Sequence, residues 1–411
     1  MKLHGWALVI GALACSTGMA ACGGDEEEGA GGGGGGGDQA AQDSSPIVIG
    51  AAIDQTDFMS SFDGPALAAA QIQAEKINAA GGVNGRKITF EVQNTQLKPD
   101  RTRSAAIDLA GKADVLWVTC DVDLSTPSIQ VGISQKKLVV APCIGTDQMG
   151  PKRFGEAGKL AFSFGNVAQD EGAALAKMAW DKGWKTANVV TDKALVYTQN
   201  VCTAFSNRFK ELGGTIAAQE SFSQGDGTVR RVVSKVGGSG GKADVNALCT
   251  VPGKDLSSFV SGVRGLGNDT PIAGPWSIDG AFWLPKSAKA ADNLYWVTFA
   301  SVFGDDPDPK VQELIDELKA KGSEPATGGF VTGAAAVDAI AAAIKENGGS
   351  TDGEKLATTF EGFKDLATIS GAISFSPEFH TAFGREYRVI EVQDGKPKLS
   401  GTVEAGTPAA L

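Results

Sequence analysis

Short apolar runs alternate with helix-like segments from Ile47 onward, and the whole rhythm begins again after Asn166. No other feature restricts the fold as much. In the first block, apolar runs at 47–52, 88–92, 115–118 and 138–141 are separated by helical patterns at 64–79, 102–110 and 126–135. In the second, helical patterns at 170–182, 200–212, 229–236 and 256–266 separate runs at 186–190, 215–221, 245–249 and 271–273. The first helical pattern sets Ala68, Ile72 and Ile77 on one side, and Gly81-Gly82-Val83-Asn84-Gly85 ends it. Strands spaced by single helices form parallel sheets covered on both faces. The fold class is therefore α/β, with two doubly wound parallel-sheet lobes. In such open sheets, ligands bind beyond the carboxyl ends of the strands.

The residues before Ile47 belong to a different regime. Lys2 opens a short positive region, an apolar stretch follows, and Gly18-Met19-Ala20-Ala21 offers a small-residue cleavage site. The apolar stretch is too short to span a bilayer. Residues 1–21 thus read as an export signal. Met19-Ala20-Ala21-Cys22-Gly23-Gly24 resembles a bacterial lipobox, with Cys22 as the lipidated first residue; Cys15 is a weaker second candidate, and a plain secretory peptide is the alternative. Residues 22–45 form an acidic, glycine-run linker that cannot bury enough apolar surface to fold. The net charge of −11 leaves no basic footprint for nucleic acid.

Ile77-Asn78-Ala79-Ala80-Gly81-Gly82-Val83-Asn84-Gly85-Arg86-Lys87-Ile88 resembles the helix-turn-strand signature of branched-chain amino acid binding proteins. These are type I periplasmic binding proteins that serve ABC importers. The resemblance continues through Lys98-Pro99-Asp100, Leu138-Val139-Val140-Ala141-Pro142 and Phe209-Lys210-Glu211-Leu212-Gly213-Gly214. It implies a three-crossover hinge between lobes that close on a ligand. Crossovers are expected at 164–167, 296–300 and 372–375. The N-terminal lobe then comprises 46–165 and 301–371, and the C-terminal lobe 166–300 and 372–411.

The resemblance also implies contact regions. After the third strand, where relatives hold hydroxyl residues against a ligand carboxylate, stand Asp121, Val122, Asp123, Leu124, Ser125 and Thr126. Cys143, Ile144, Gly145 and Thr146 follow the fourth. In the second lobe, Trp276 occupies the position of an acid that pairs the ligand ammonium, and Asp279 lies three residues on. Two acids in a desolvated cleft repel a carboxylate. The expected ligand is therefore a small polar solute, an amino acid, amide or related compound, with a cationic or donor-rich group or an amide suiting the two acids better than a standard branched-chain amino acid does. Phe62 and Trp276 are candidate aromatic walls, and Tyr197 a candidate contact. Phe62 and Trp276 have a plain structural alternative as core or lobe-contact residues, and Asp121 and Asp123 as a solvated loop or helix cap.

Catalysis lacks raw material. His4 lies in the signal, and His380, near a strand end, reads as a surface residue. No zinc spacing occurs. Residues 237–242 fail as a phosphate loop, because Val236 and Ala243 stand at its defining positions. No enzyme activity and no cofactor are expected. The expected partners are a small-molecule ligand, ABC permease subunits and, through the N-terminal lipid, a membrane; the folded part is expected to be monomeric and extracytoplasmic. A ligand sensor reporting to a signalling partner is the alternative. Outside the signal, Cys120 and Cys143 end adjacent strands of one lobe, and Cys202 and Cys249 share the other. Export permits disulfides, so the pairs Cys120–Cys143 and Cys202–Cys249 are expected, against four buried thiols.

Overall fold

Each block of the alternation folds into its own sheet. A computed structural model describes residues 44–238 and 242–411. The export signal, Cys22 and nearly all of the linker lie outside the described residues, as do Ser239, Gly240 and Gly241.

The first block runs β1 (Ile47–Ile53), α1 (Ser60–Ala79), β2 (Ile88–Asn94), α2 (Pro99–Ala110), β3 (Val115–Val118), α3 (Val122–Ser134), β4 (Leu138–Ala141), α4 (Pro151–Phe154) and β5 (Ala161–Ser163). Its strands form one parallel sheet in the order β2-β1-β3-β4-β5. The second runs α5 (Ala168–Asp181), β6 (Thr186–Asp192), α6 (Val196–Glu211), β7 (Thr215–Phe222), α7 (Val229–Gly237), β8 (Val245–Cys249), α8 (Lys254–Gly265), β9 (Ile272–Gly274), α9 (Ala288–Ala291) and β10 (Leu294–Thr298). The chain then returns with α10 (Pro309–Ala320), α11 (Val331–Glu346) and α12 (Gly353–Gly362), a hairpin of β11 (Leu366–Thr368) and β12 (Gly371–Ile373), and finally β13 (Glu386–Gln393) and β14 (Lys396–Glu404). The second sheet has the order β14-β13-β10-β9-β8-β6-β7, antiparallel only where β13 joins β10 and β14 joins β13.

The strands β3 and β4, VLWV and LVVA, are buried throughout. Continuous apolar strands of this kind need cover on both faces. One face of the first sheet packs on α1, α11 and α12, through Leu67, Val140, Ile340 and Phe360. The other packs on α2 and α3, through Leu109 and Ile129. The stretch Gly328–Glu346 is long and apolar enough to cross a membrane, but it lies inside this first-lobe core. Helix α11 approaches α1 so closely that a Cβ on Gly333 would stand 1.8 Å from the Ala66 carbonyl oxygen. Gly333→Ala is therefore expected to destabilise the fold by about 1–3 kcal/mol through overpacking. A lower urea midpoint at unchanged slope is the expected reading; a wild-type midpoint would show that the helices can part freely.

Three helices begin about a turn earlier than their apolar periodicity suggests. Helix α3 starts at Val122 because Asp121 caps it, its carboxylate accepting from the N–H groups of Asp123 and Leu124. Helix α1 starts at Ser60 despite Pro65, and α6 at Val196. These early starts carry would-be loop residues onto first turns.

The chain passes between the sheets at 164–167, as β5 gives way to α5. The other two boundaries differ from expectation. Residues 301–308 stay with the second sheet: Arg388 of β13 pairs with Asp306, the Leu399 N–H of β14 donates to Asp305, and Phe303 packs on Trp296. The expected boundary at residue 301 thus moves to the start of α10. Likewise Ile373, Phe375 and Ala382 belong to the first-lobe core, and Thr381 bridges to Ser163 of β5. The third crossover is therefore 383–385, not 372–375. The polar spacing of 376–381 hid this, because the segment is bound by backbone hydrogen bonds to β5 rather than by an apolar pattern. Cys120 is bonded to Cys143, with Cα atoms 4.8 Å apart, and Cys202 to Cys249, with Cα atoms 5.8 Å apart.

Candidate functional site

Strand order reverses between β1 and β3 in the first sheet, and between β6 and β8 in the second. A crevice opens beyond the carboxyl ends of strands at such points. The two crevices face each other and enclose a cavity of about 700 Å³. Its first-lobe wall comes from the segments after β1, β3 and β4; its second-lobe wall comes from those after β6, β8 and β9.

Buried carboxylates shape the first-lobe wall. Asp54 accepts from the N–H groups of Thr56, Asp57 and Met59 at 3.0, 2.9 and 3.1 Å, curling the loop that presents Phe58 and Met59. Asp63 of α1 accepts from the Cys120 and Asp54 N–H groups at 2.8 and 3.0 Å. It thereby ties the loop after β3 to that after β1. Complete burial pushes its carboxyl up to about 7.

The second-lobe wall hangs on Glu171 at the start of α5. The Trp276 N–H donates to its Oε1 at 2.6 Å, and the Tyr197 hydroxyl lies 3.1 and 3.0 Å from its two oxygens. Burial pushes Glu171 up to about 8. Trp276 meets Phe62 of the first lobe edge-on, with ring centroids 5.4 Å apart. Gly145 lets the Tyr197 ring approach: a Cβ there would stand 2.6 Å from it. The lobes therefore touch at two aromatic points on the cavity wall.

Of the residues singled out from the sequence, Phe62, Val122, Cys143 and Ile144 line the cavity on one lobe, with Gly145 and Thr146. Tyr197 and Trp276 line it on the other. Asp121 lines it as well, and five do not, Ser125 and Thr126 of α3 among them. Asp123, on the first turn of α3, is half exposed and pairs with Arg153 at 2.6 Å. Leu124, partly buried, packs into the core that spans both lobes. Asp279 is fully buried with both oxygens taken: Gly280 N and Trp296 Nε1 donate to one at 2.7 Å each, and Thr298 Oγ1 and Gly328 N to the other at 2.6 Å each. A carboxylate so occupied ties β10 to the Gly328 backbone and offers nothing to a ligand. His380 is likewise no surface residue. It is 1% exposed, stacked on Phe162 at 4.2 Å, with Nε2 3.0 Å from Glu361.

Phe58, Met59, Leu195, Lys254, Phe282 and Trp283 also line the cavity and were not singled out. A signal existed for some of them. Leu195 and Lys254 follow the ends of β6 and β8, where the strand-end rule directs attention. Nothing in the local sequence marked Phe282 or Trp283, which the chain brings back to the cavity after the turn at Trp276.

Comparison with known proteins gives one family. The family model for periplasmic binding proteins matches residues 46–397. A Leu/Ile/Val-binding protein homolog of Brucella melitensis is 24% identical over 357 residues, covering 85% of this chain and 92% of the relative. The branched-chain amino acid transporter substrate binding protein LivJ of Streptococcus pneumoniae, solved with isoleucine, superposes with a TM-score of 0.72 at 20% identity, covering 87% of this chain and 99% of that one. A solute binding protein of an ABC transporter from Rhodopseudomonas palustris, solved with 3,4-dihydroxybenzoic acid, gives a TM-score of 0.72 at 18% identity, covering 89% and 99%.

Proposed function

The chain belongs to the periplasmic binding protein family, and from that premise we propose that it is an extracytoplasmic solute-binding lipoprotein that delivers a small molecule to an ABC importer. One observation carries the reading: the two switch-point crevices face each other across a single cavity, and the chain passes between their lobes through narrow connections. Such a hinge makes few bonds that oppose opening, so ligand contacts can decide between open and closed forms. The roles of its relatives in branched-chain amino acid binding and transport support transport over sensing. The lipobox at Cys22 supports a membrane anchor, with the folded part acting as a monomer. The chemistry assigned to the site is binding alone.

Closure is directly testable. A thermal-shift screen finds the ligand, because a ligand that binds only the folded state raises its melting temperature. Small-angle scattering with that ligand at saturation should then show a smaller radius of gyration. An unchanged scattering profile would overturn the clamp.

A further inference from the structure

The cavity's chemistry does not suit an α-amino acid. An α-amino acid carries its ammonium and its carboxylate on one carbon, so its head group needs a free acid and donors for its carboxylate side by side on one wall. In the second lobe, Asp279 has no oxygen to spare, and Glu171 stands behind Tyr197 and Trp276 with both oxygens engaged. No second-lobe acid among the described residues therefore faces the cavity. The acid that lines it, Asp121, is on the first lobe. Its Oδ1 caps α3, accepting at 2.9 and 3.0 Å, while Oδ2 makes no hydrogen bond among the described residues. The cavity's one cationic side chain among the described residues, Lys254, is on the second lobe, on the first turn of α8, and forms no ion pair among them. Charge is thus distributed acid-first, base-second, with opposite signs on the facing walls.

The walls between these poles are aromatic. Phe58 and Phe62 come from the first lobe, and Trp276, Phe282 and Trp283 from the second. Phe58 and Phe282 are 56% and 55% exposed. Large aromatic faces left open at a cavity are surfaces for a ring to cover.

Resting on the solute-binding reading above, we propose that the ligand is an aromatic carboxylate bearing a ring hydroxyl. Its carboxylate lies at Lys254, its hydroxyl donates to Asp121 Oδ2, and its ring packs among the aromatic side chains. The free acid on one wall selects a donor, the free cation on the other selects an anion, and the aromatic walls select what joins them.

Calorimetry on the intact protein at pH 7 tests this with 3,4-dihydroxybenzoate, benzoate, L-leucine and L-phenylalanine. Dihydroxybenzoate should bind, benzoate should bind about tenfold more weakly for want of a charge-assisted hydrogen bond, and neither amino acid should give heat. Lys254→Gln, an exposed change, should weaken both acids by about tenfold. Asp121→Asn can still cap α3 and should shrink the preference for dihydroxybenzoate over benzoate to about threefold or less. Unaltered melting temperatures in both variants would confirm that each is folded. Wild-type affinities and preference in both variants would overturn the orientation. Binding of L-leucine or L-phenylalanine without dihydroxybenzoate would overturn the ligand class and leave solute capture standing. A broad metabolite screen with no thermal shift at all would take solute capture with it.

Discussion

Arg385→Ala is expected to destabilise the protein by about 3–5 kcal/mol, the range for leaving a buried charge without its partner. Arg385 is fully buried and sits on the third crossover. Its Nη2 donates to the Phe164 carbonyl of the first crossover at 2.8 Å. Its guanidinium lies 4.5 Å from the ring centroid of Phe299, just past the end of β10. One side chain thus ties the first and third connections to the end of β10. It is also the cation beside Asp170 and Glu171. Asp170 takes hydrogen bonds from Asn166 at 2.8 Å and from the Tyr387 hydroxyl at 3.1 Å. Burial lowers Arg385 only to about 10 and raises Asp170 to about 6, so both are charged at pH 7 and balance each other. Without the guanidinium, Asp170 must take a proton and the Phe164 carbonyl loses its donor. Arg385→Lys keeps the charge but not the planar face over Phe299, and should fall between the two. Urea denaturation at pH 7 decides the matter; an Arg385→Ala loss under 1 kcal/mol would show that the crossovers hold without it.

The two sheets were legible because parallel strands buried on both faces must be continuous apolar runs, and β3, β4 and β8 are such runs. The loops at strand ends were legible for the same topological reason, and so were Trp276, Tyr197 and 143–146. What stayed hidden depended on hydrogen-bond saturation. Asp279 and Asp121 are both acids near strand ends, yet one is consumed by four donors and the other keeps an oxygen free. No periodicity separates those cases. Residues 301–308 and 374–382 were misplaced because polar and backbone bonds, not apolar pattern, decide which lobe they join. Arg385, Asp170 and Glu171 were passed over because charged residues far apart in the chain are ordinarily solvated, and only the meeting of the crossovers buries them together.

Stability is expected to fall as pH rises from about 5 to 8, contrary to the usual acid-labile pattern. The sign follows from three buried carboxyls. Burial raises Asp170 to about 6, Asp63 to about 7 and Glu171 to about 8. The unfolded chain gives up these protons near the ordinary carboxylate range, while the folded protein keeps them. Folding therefore carries extra bound protons in that window. Each such proton subtracts up to about 1.4 kcal/mol of stability per pH unit between the two titrations. His380, which burial holds below its ordinary value, acts in the opposite sense near pH 6. The charged and titratable groups facing Glu171 are Asp170, Tyr197 and Arg385, and Tyr387 lies in the same cluster. Glu171→Gln isolates one share of the effect, since the amide is neutral at every pH and still accepts from the Trp276 N–H. Its stability should decline more shallowly than wild type, by up to about 1.4 kcal/mol per unit between pH 5 and 7. Denaturant midpoints at pH 5, 6, 7 and 8 for both proteins give the comparison. Equal slopes, or wild-type stability rising over this range, would mean that Glu171 is ionised in the fold. Trp276 and Tyr197 are held by that same carboxyl, and their hydrogen bonds favour its charged form, so the aromatic wall of the cavity works against the burial that raises Glu171 and limits how steep its share of the decline can be.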